Sequence, residues 1–342
     1  HMRQGMAEGR WHEVLPGRRR LAAELGCSHG TVDEAINMLV QQGLLLSQGK
    51  GQPRRINLAA DLERVSTLRV QILLYEKSDA KLDFIVELRH RLQSAGHETV
   101  YAGKTLLELG MDAGRVAGFV QASQADAWVI CAGSREVLEW FAGQATPAFA
   151  LFGRSVSVPL ASTSPQKAGA EAEALDRMVA LGHRRIVRLV RRERRKPNPG
   201  LLERLFLERL AQHGIPTGDY NLPDWEESPA GLQALLDSLF QFTPPTAMII
   251  GGPALFHAVR SYLGNRCILV PDHVSLLCTD PDPGFEWCLP QVAHLAWDSA
   301  PIVRRVVKWA DRISRGKQDL RKTSTPAKLV MGGTLGPAPS KR

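Results

Sequence analysis

At 342 residues, 44% hydrophobic and 23% charged, the chain has the composition of a folded protein too long for a single core, so two or three domains are expected. No apolar stretch approaches the roughly 18–20 residues of a membrane span, and the first ten residues lack the apolar core of a secretory signal, which points away from export and toward the cytoplasm. The formal charge of +8 is unevenly spread: residues 1–57 hold eight Lys/Arg against five acids, and residues 184–196 hold eight against one. A polyanionic partner is therefore expected to meet local patches only. Five irregularly spaced cysteines, Cys27, Cys131, Cys267, Cys278 and Cys288, offer neither a CxxC pair nor an even disulfide framework, as in a reducing compartment.

In chain order, Leu21, Ala22 and Leu25 stop at Gly26; Val32, Ala35, Ile36, Leu39 and Val40 then recur at helical spacing and stop at Gly43. Two short helices joined by a tight turn are predicted. Leu44–Leu46 and Arg55-Ile56 flank the glycine-containing stretch 47–53 and predict two short strands around a tip. A helix-turn-helix followed by a hairpin thus occupies residues 1–57.

In such a unit the first turn of the second helix enters the major groove and needs small or polar side chains. Here that turn is Cys27-Ser28-His29-Gly30-Thr31. Ser28 suits the N-cap, the apolar set faces inward, and His29, Thr31, Asp33, Glu34 and Asn37 face outward. Asp33 could accept from a cytosine amino group or repel phosphate. Arg18, Arg19 and Arg20 are candidate phosphate contacts, although an arginine triplet alone equally describes a solvated face. At the tip, Gly49 and Gly51 permit close backbone approach and Lys50 can reach a groove wall.

The run Leu15-Pro16-Gly17-Arg18-Arg19-Arg20-Leu21-Ala22, then Leu25 to Val32, Leu39 to Leu45 and Gly49-Lys50-Gly51, resembles the GntR-type winged helix over nearly all of residues 9–56. The resemblance implies DNA contacts at Arg19, Ser28, Thr31 and the wing glycines. Gly9-Arg10-Trp11 resembles the exit of the family's first helix, so a shortened first helix and weakened DNA affinity are expected. Residues 58–67 read as a linker.

From Leu68 onward, buried-strand runs alternate with amphipathic helices. Strands are predicted at 68–75, 98–101, 127–131, 148–152, 186–190, 247–250, 274–278 and 292–297, with helices over 84–92, near 112–122, and at about 166–181, 201–213, 230–240, 254–263 and 299–315. This order predicts an α/β fold, two lobes with parallel sheets and right-handed crossovers over residues 68–335. Ligands of such sheets sit beyond the carboxyl ends of strands, which makes Glu76, Ser78, Asp79, Ser134 and Asp280 candidate cleft residues. His183 is expected to end a helix as a cation on its dipole, and the arginine run 184–196, which lacks interleaved aromatics, to be a solvated face.

Met178-Val179-Ala180-Leu181-Gly182-His183-Arg184-Arg185-Ile186, Pro244-Pro245-Thr246-Ala247 and Val270-Pro271-Asp272-His273-Val274-Ser275 resemble the LacI/GalR-type, periplasmic-binding-protein-like effector domain. That resemblance implies a sugar-contacting role for Asp280 and, at Trp225, an aromatic that stacks on a sugar face. The sequence departs from it at Gly251-Gly252-Pro253, where Asn-Asp is usual, and at Leu202, where Arg is usual. The effector is then sugar-like, of another class, or absent.

No GxSxG, HExxH, Walker loop or GxGxxG occurs, so neither an enzyme nor a metal or cofactor is expected. The reading is a cytoplasmic, homodimeric, ligand-responsive repressor gripping a duplex operator with half-sites on the order of 34 Å or more apart. A constitutive DNA-binding or scaffold protein with a degenerate pocket is the alternative, and an exported solute-binding protein is disfavoured by the front domain.

Overall fold

The computed structural model describes residues 2–7, 10–11, 13–41, 44–46, 54–56 and 67–340. The chain divides into two compact units, residues 1–68 with 311–318, and residues 69–310 with 319–342.

In the first unit α1 (Met2–Ala7) buries Met2 and Met6 beside Trp11. A Cβ at Gly5 would lie 2.8 Å from the Trp11 ring, so the helix approaches the indole as closely as it does only because that position is glycine. The indole N–H donates to Glu24 on α2 (Arg18–Leu25) at 3.2 Å. Gly26, at φ 63°, takes the left-handed turn that ends α2 and starts α3 (His29–Gln41). Leu21 packs against Val32, Ile36 and Leu39 at the predicted spacing, and Leu44, Leu45 and Ile56 complete the core. Each such burial contributes roughly 1.5–3 kcal/mol.

Strands β1 (Leu45–Leu46) and β2 (Arg55–Ile56) pair antiparallel, as the hairpin reading expects. The sequence reading did not anticipate a third segment, Glu13–Leu15, on this ladder. Leu15 N–H donates to Arg54 at 2.9 Å, Ile56 N–H donates to Glu13 at 2.7 Å, and Val14 bridges Arg55. The predicted tip contacts Gly49, Lys50 and Gly51 lie outside the described residues.

The second unit is built on ten strands in the order β4-β3-β5-β6-β7-β12-β11-β10-β9-β8. They are β3 (Arg69–Leu73), β4 (Glu98–Tyr101), β5 (Ala127–Cys131), β6 (Ala148–Leu151), β7 (Ala161–Gln166), β8 (Ile186–Leu189), β9 (Ala247–Ile250), β10 (Ser275–Cys278), β11 (Ala293–Trp297) and β12 (Lys322–Val330). Strands β5, β6, β8, β9 and β10 are buried at every residue, as strands covered on both faces must be. The helices of this unit are α4 (Asp83–Ser94), α5 (Ala113–Gln121), α6 (Arg135–Ala142), α7 (Ala168–Ala180), the short α8 (Arg192–Arg195), α9 (Leu201–Gln212), α10 (Pro229–Phe242) and α11 (Pro253–Asn265); α12 (Ala300–Ile313) runs across the division between the units.

Several elements depart from the sequence expectation, the short α8 among them. Helix α6, β7 and β12 were not predicted, and the ladder β11–β12 is antiparallel where an all-parallel arrangement was expected. The sequences of β7 (ASTSPQ) and β12 (KTSTPAKLV) contain proline and no apolar alternation, so neither announces a strand. Tertiary pairing makes them strands. β12 runs parallel to β7 as far as Pro326 and antiparallel to β11 from Ala327 onward. Proline lacks the N–H that would continue a ladder, and here it stands where the strand changes partner.

His183 is another correction. It is fully buried, its Nε2 lies 2.9 Å from the Gly336 carbonyl, and burial holds its pKa below the usual value. It acts as a neutral tether for the carboxy-terminal segment, not as a cation on a helix end.

Among the described residues no helix is long and apolar enough to cross a membrane, and no cluster of three metal-ligating side chains occurs.

Candidate nucleic-acid interface and ligand pocket

On α3, Val32, Ile36 and Leu39 turn inward, and His29, Thr31, Asn37 and Met38 stay exposed. Ser28 is spent on the helix start: its Oγ accepts from Thr31 N–H at 3.2 Å and lies 2.8 Å from Thr31 Oγ1. The three arginines are not equivalent. Arg18 donates to Asp33 at 2.7 Å and Arg20 to Glu24 at 2.8 Å, whereas Arg19 makes no side-chain hydrogen bond or ion pair among the described residues. Asp33 thus faces a guanidinium of its own chain.

In the second unit four strand ends meet around a cavity of about 150 Å³. Lys167 follows β7, Arg191 follows β8, Gly251 and Gly252 follow β9, and Thr279 and Asp280 follow β10. Asp280 Oδ1 accepts from Lys167 Nζ at 2.5 Å and from the Trp297 indole at 3.2 Å, and Oδ2 accepts from Thr279 Oγ1 at 2.9 Å.

Beneath the cavity Arg188, 2% exposed, donates to Glu171 at 2.8 Å and to Glu203 at 3.2 Å. Burial works against this guanidinium, but the two carboxylates outweigh it and raise its pKa; burial likewise works against the Glu203 carboxylate, and Arg188 holds it below the usual range. The run 184–196 is therefore not a solvated face throughout. Arg188 and Arg195 point inward, and Arg191 is half-buried.

Contacts between the first and second halves of the sheet converge beside this cavity. The Tyr75 hydroxyl, just beyond β3, lies 2.7 Å from Glu193 and 3.1 Å from Glu227 and can donate to either. Its pKa is driven far upward by burial and by those two carboxylates. Glu76 Oε1 accepts from Arg191 at 2.9 Å and from Ser78 Oγ at 2.8 Å, and the Glu76 N–H donates to Asp79 at 3.2 Å. Burial pushes the Asp79 carboxyl above its usual pKa.

The candidates Glu76, Ser78 and Asp79 thus sit together with Arg191, and Asp280 sits with Lys167. Ser134 is instead the N-cap of α6, its Oγ accepting from Val137 N–H at 3.2 Å. Trp225 donates its indole N–H to the Val190 carbonyl at 3.1 Å and carries the Arg195 guanidinium 5.5 Å above its ring.

Sequence reasoning missed Tyr75, Lys167, Arg191 and an aromatic group made by Phe84, Phe152 and Trp297, whose centroids lie 5.5–5.8 Å apart edge to face. The strand-end rule would have found Lys167 had β7 been legible. Phe152 adopts φ 64° and Gly153 φ 76°, and a Cβ at Gly153 would fall 2.6 Å from the Gly133 carbonyl. A phenylalanine in the left-handed region is held there by its surroundings, a form of strain that concentrates at functional sites.

Residues 4–52 match the gntR family of bacterial regulatory proteins, and residues 175–335 match the periplasmic binding protein-like domain. The chain joins a GntR-type DNA-binding domain to a periplasmic-binding-protein-like domain. Similar solved structures include the Escherichia coli transcriptional repressor ascG (16% identity, TM-score 0.59, 79% of this chain and 100% of that one). A LacI family transcriptional regulator from Enterococcus faecium with bound ribose is similar at 15% identity and TM-score 0.60, over 79% of this chain and 99% of that one. The transcriptional regulator CelR in complex with cellobiose is similar at 17% identity and TM-score 0.62, over 94% of this chain and 100% of that one. At these identities the likeness shows the fold. No match was found among curated proteins.

The GntR-type and periplasmic-binding-protein-like domains are those of a DNA-binding transcription regulator with a ligand-binding domain, not of an enzyme. In this regulator Gly252 adopts φ 90°, and Gly251 N–H donates to the Leu189 carbonyl at 2.8 Å, so bare main chain stands where the LacI/GalR resemblance implies an Asn-Asp pair. Leu202 does not line the strand-end pocket. It borders a separate cavity of about 190 Å³ between α7 and α9.

Proposed function

We propose that this protein is a homodimeric, cytoplasmic repressor whose operator affinity changes when a small molecule enters the strand-end pocket. The observation that carries the reading is the set of contacts joining the two halves of the sheet beside that pocket, Tyr75 with Glu193 and Glu227, and Arg191 with Glu76. A ligand that alters those contacts prefers one relative placement of the halves, and only such a preference can shift a population. DNA is met by the first turn of α3 at His29 and Thr31, by Asn37, and by Arg19. Trp287 and Leu289, 87% and 89% exposed, supply the apolar centre of a two-fold contact between copies.

The test is isolation of genomic fragments bound by the full-length chain, followed by anisotropy titration at several salt concentrations. A steep log-log salt slope, on the order of −0.9 per phosphate contacted, supports the reading; a flat slope overturns it. Sedimentation of Trp287→Asp should show loss of dimer.

A second reading, a constitutive DNA-binding protein, is favoured by one observation: Asp280 is already engaged by Lys167, Trp297 and Thr279.

A further inference from the structure

The two carboxylates bordering the strand-end pocket, Asp280 and Glu171, are already ion-paired with Lys167 and Arg188. Asp280 accepts on both oxygens, as described above, and the two oxygens of Glu171 accept from Arg188 Nη1 at 2.8 Å and Nη2 at 3.3 Å. A neutral polyhydroxylated ligand donates as well as accepts, and the lone-pair sites still open to it on Asp280 and Glu171 lie on carboxylates whose charge is already met by a cation. The wall's surplus is in donors. Lys167 carries three N–H bonds and uses one on Asp280. Arg194, also in the wall, makes no side-chain hydrogen bond or ion pair among the described residues.

A second guanidinium stands close by. Arg154 follows the strained Phe152-Gly153 pair; its Nη2 donates to the Asn198 carbonyl at 2.7 Å and its Nε is buried without a hydrogen-bond partner. Burial disfavours its charge, and Arg194 adds to that. Glu203 acts in the other direction on Arg154; it is fully buried, with Oε1 accepting from Arg188 and Oε2 without a hydrogen-bond partner. The Trp297 indole that holds Asp280 belongs to the Phe84–Phe152–Trp297 group, so apolar ring surface adjoins the charged wall. The cavity of about 150 Å³ suits a small molecule and not an oligosaccharide.

We propose that the pocket takes a small organic anion, a carboxylate or phosphate monoester with a compact body, bound through Arg194 and Lys167 and packed toward Trp297. This rests on the reading of the second unit as an effector domain. Guanidinium and ammonium donors toward an anion form the stronger class of hydrogen bond, and an anion offers acceptors only, which matches a wall in which Lys167, Arg188, Arg191 and Arg194 outnumber Glu171 and Asp280.

The test uses the full-length chain in a buffer free of phosphate and sulfate, with thermal unfolding and calorimetry against matched probes. These are benzoate against benzyl alcohol for the carboxylate source, and glucose 6-phosphate against glucose, with inorganic phosphate alone, for the phosphate source. The expected result is that at least one anion raises the melting temperature and binds tenfold or more tighter than its neutral partner. Arg194→Gln should weaken that anion at least tenfold while leaving the unliganded melting temperature within about a degree. Lys167→Gln should narrow the anion-over-neutral ratio by releasing Asp280 as an acceptor.

Equal binding of the neutral partner, an unchanged affinity in Arg194→Gln, or no anion binding at up to 10-millimolar order overturns the proposal. If glucose or benzyl alcohol alone binds and changes DNA affinity, the anion assignment falls and the effector reading stands. If no probe of either kind binds or alters DNA affinity, the anion assignment falls and the constitutive reading gains.

Discussion

Two arginine-rich stretches of similar composition meet opposite fates in this chain. Arg18–Arg20 opens a short surface helix, and its members reach outward, two of them to neighbouring acids and one to none among the described residues. Arg184–Lys196 runs along β8, which is covered on both faces and buried at every residue, and on into the short helix α8, so Arg188 lies in the interior while Arg184, Arg185, Arg192 and Lys196 are exposed. The lesson is that a charge run takes its meaning from how the element it lies on is covered. A strand covered on both faces must bury whatever stands at any of its positions, and Arg188 survives there because Glu171 and Glu203 meet it.

The sharpest way to break this contrast is Arg188→Ala. It leaves two carboxylates buried without their cation, a loss of about 3–5 kcal/mol. Urea unfolding should show a large fall in midpoint, and an effect under about 1 kcal/mol would mean that the ion triad is hydrated.

Acid should act next. Burial pushes the Asp319 carboxyl up, but hydrogen bonds from Arg321 and the charge of Arg305 outweigh it and hold the pKa at about 2. Its stabilisation is complete above the unfolded value of about 4 and is lost as pH falls through the folded one. His183, held neutral by burial, adds an earlier loss as pH drops below about 6.5, where the unfolded chain takes up a proton that the folded chain resists. Stability that rises on acidification from pH 7 to 5 would contradict the buried assignment.

Smaller effects belong to the DNA-facing unit. Arg19→Ala should weaken operator binding by about tenfold and reduce the salt slope by about one phosphate. Arg18→Ala should cost less, because its guanidinium already faces Asp33, and Asp33→Asn should strengthen binding by freeing it. If Arg18→Ala proves the costlier in anisotropy titrations, the Arg18–Asp33 pair opens on DNA. Ser28→Ala should cost about 1 kcal/mol in stability through loss of the cap on α3.

Legibility followed burial pattern. Helices α2 and α3 could be read because Leu21, Val32, Ile36 and Leu39 recur at helical spacing and Gly26 marks the turn; β5, β9 and β10 could be read because an uninterrupted apolar run admits few other fates. Strands β7 and β12 could not be, since Ser, Thr, Pro and Lys carry no inward period. Lys167, placed by β7, was lost with it. Tyr75 and Glu193 are 118 positions apart, and no local pattern relates them.

From its order of residues alone, this chain determined two kinds of domain, a helix-turn-helix with a hairpin and an α/β sheet with its strand ends gathered, because local periodicity and turn chemistry act over a few residues at a time. Which arginine is sheltered, which carboxylate is already bonded and where one strand exchanges β7 for β11 were decided only by the folded arrangement. Those outcomes depend on distances between groups far apart in the chain, and electrostatic and hydrogen-bond energies are set by such distances and by the exclusion of water.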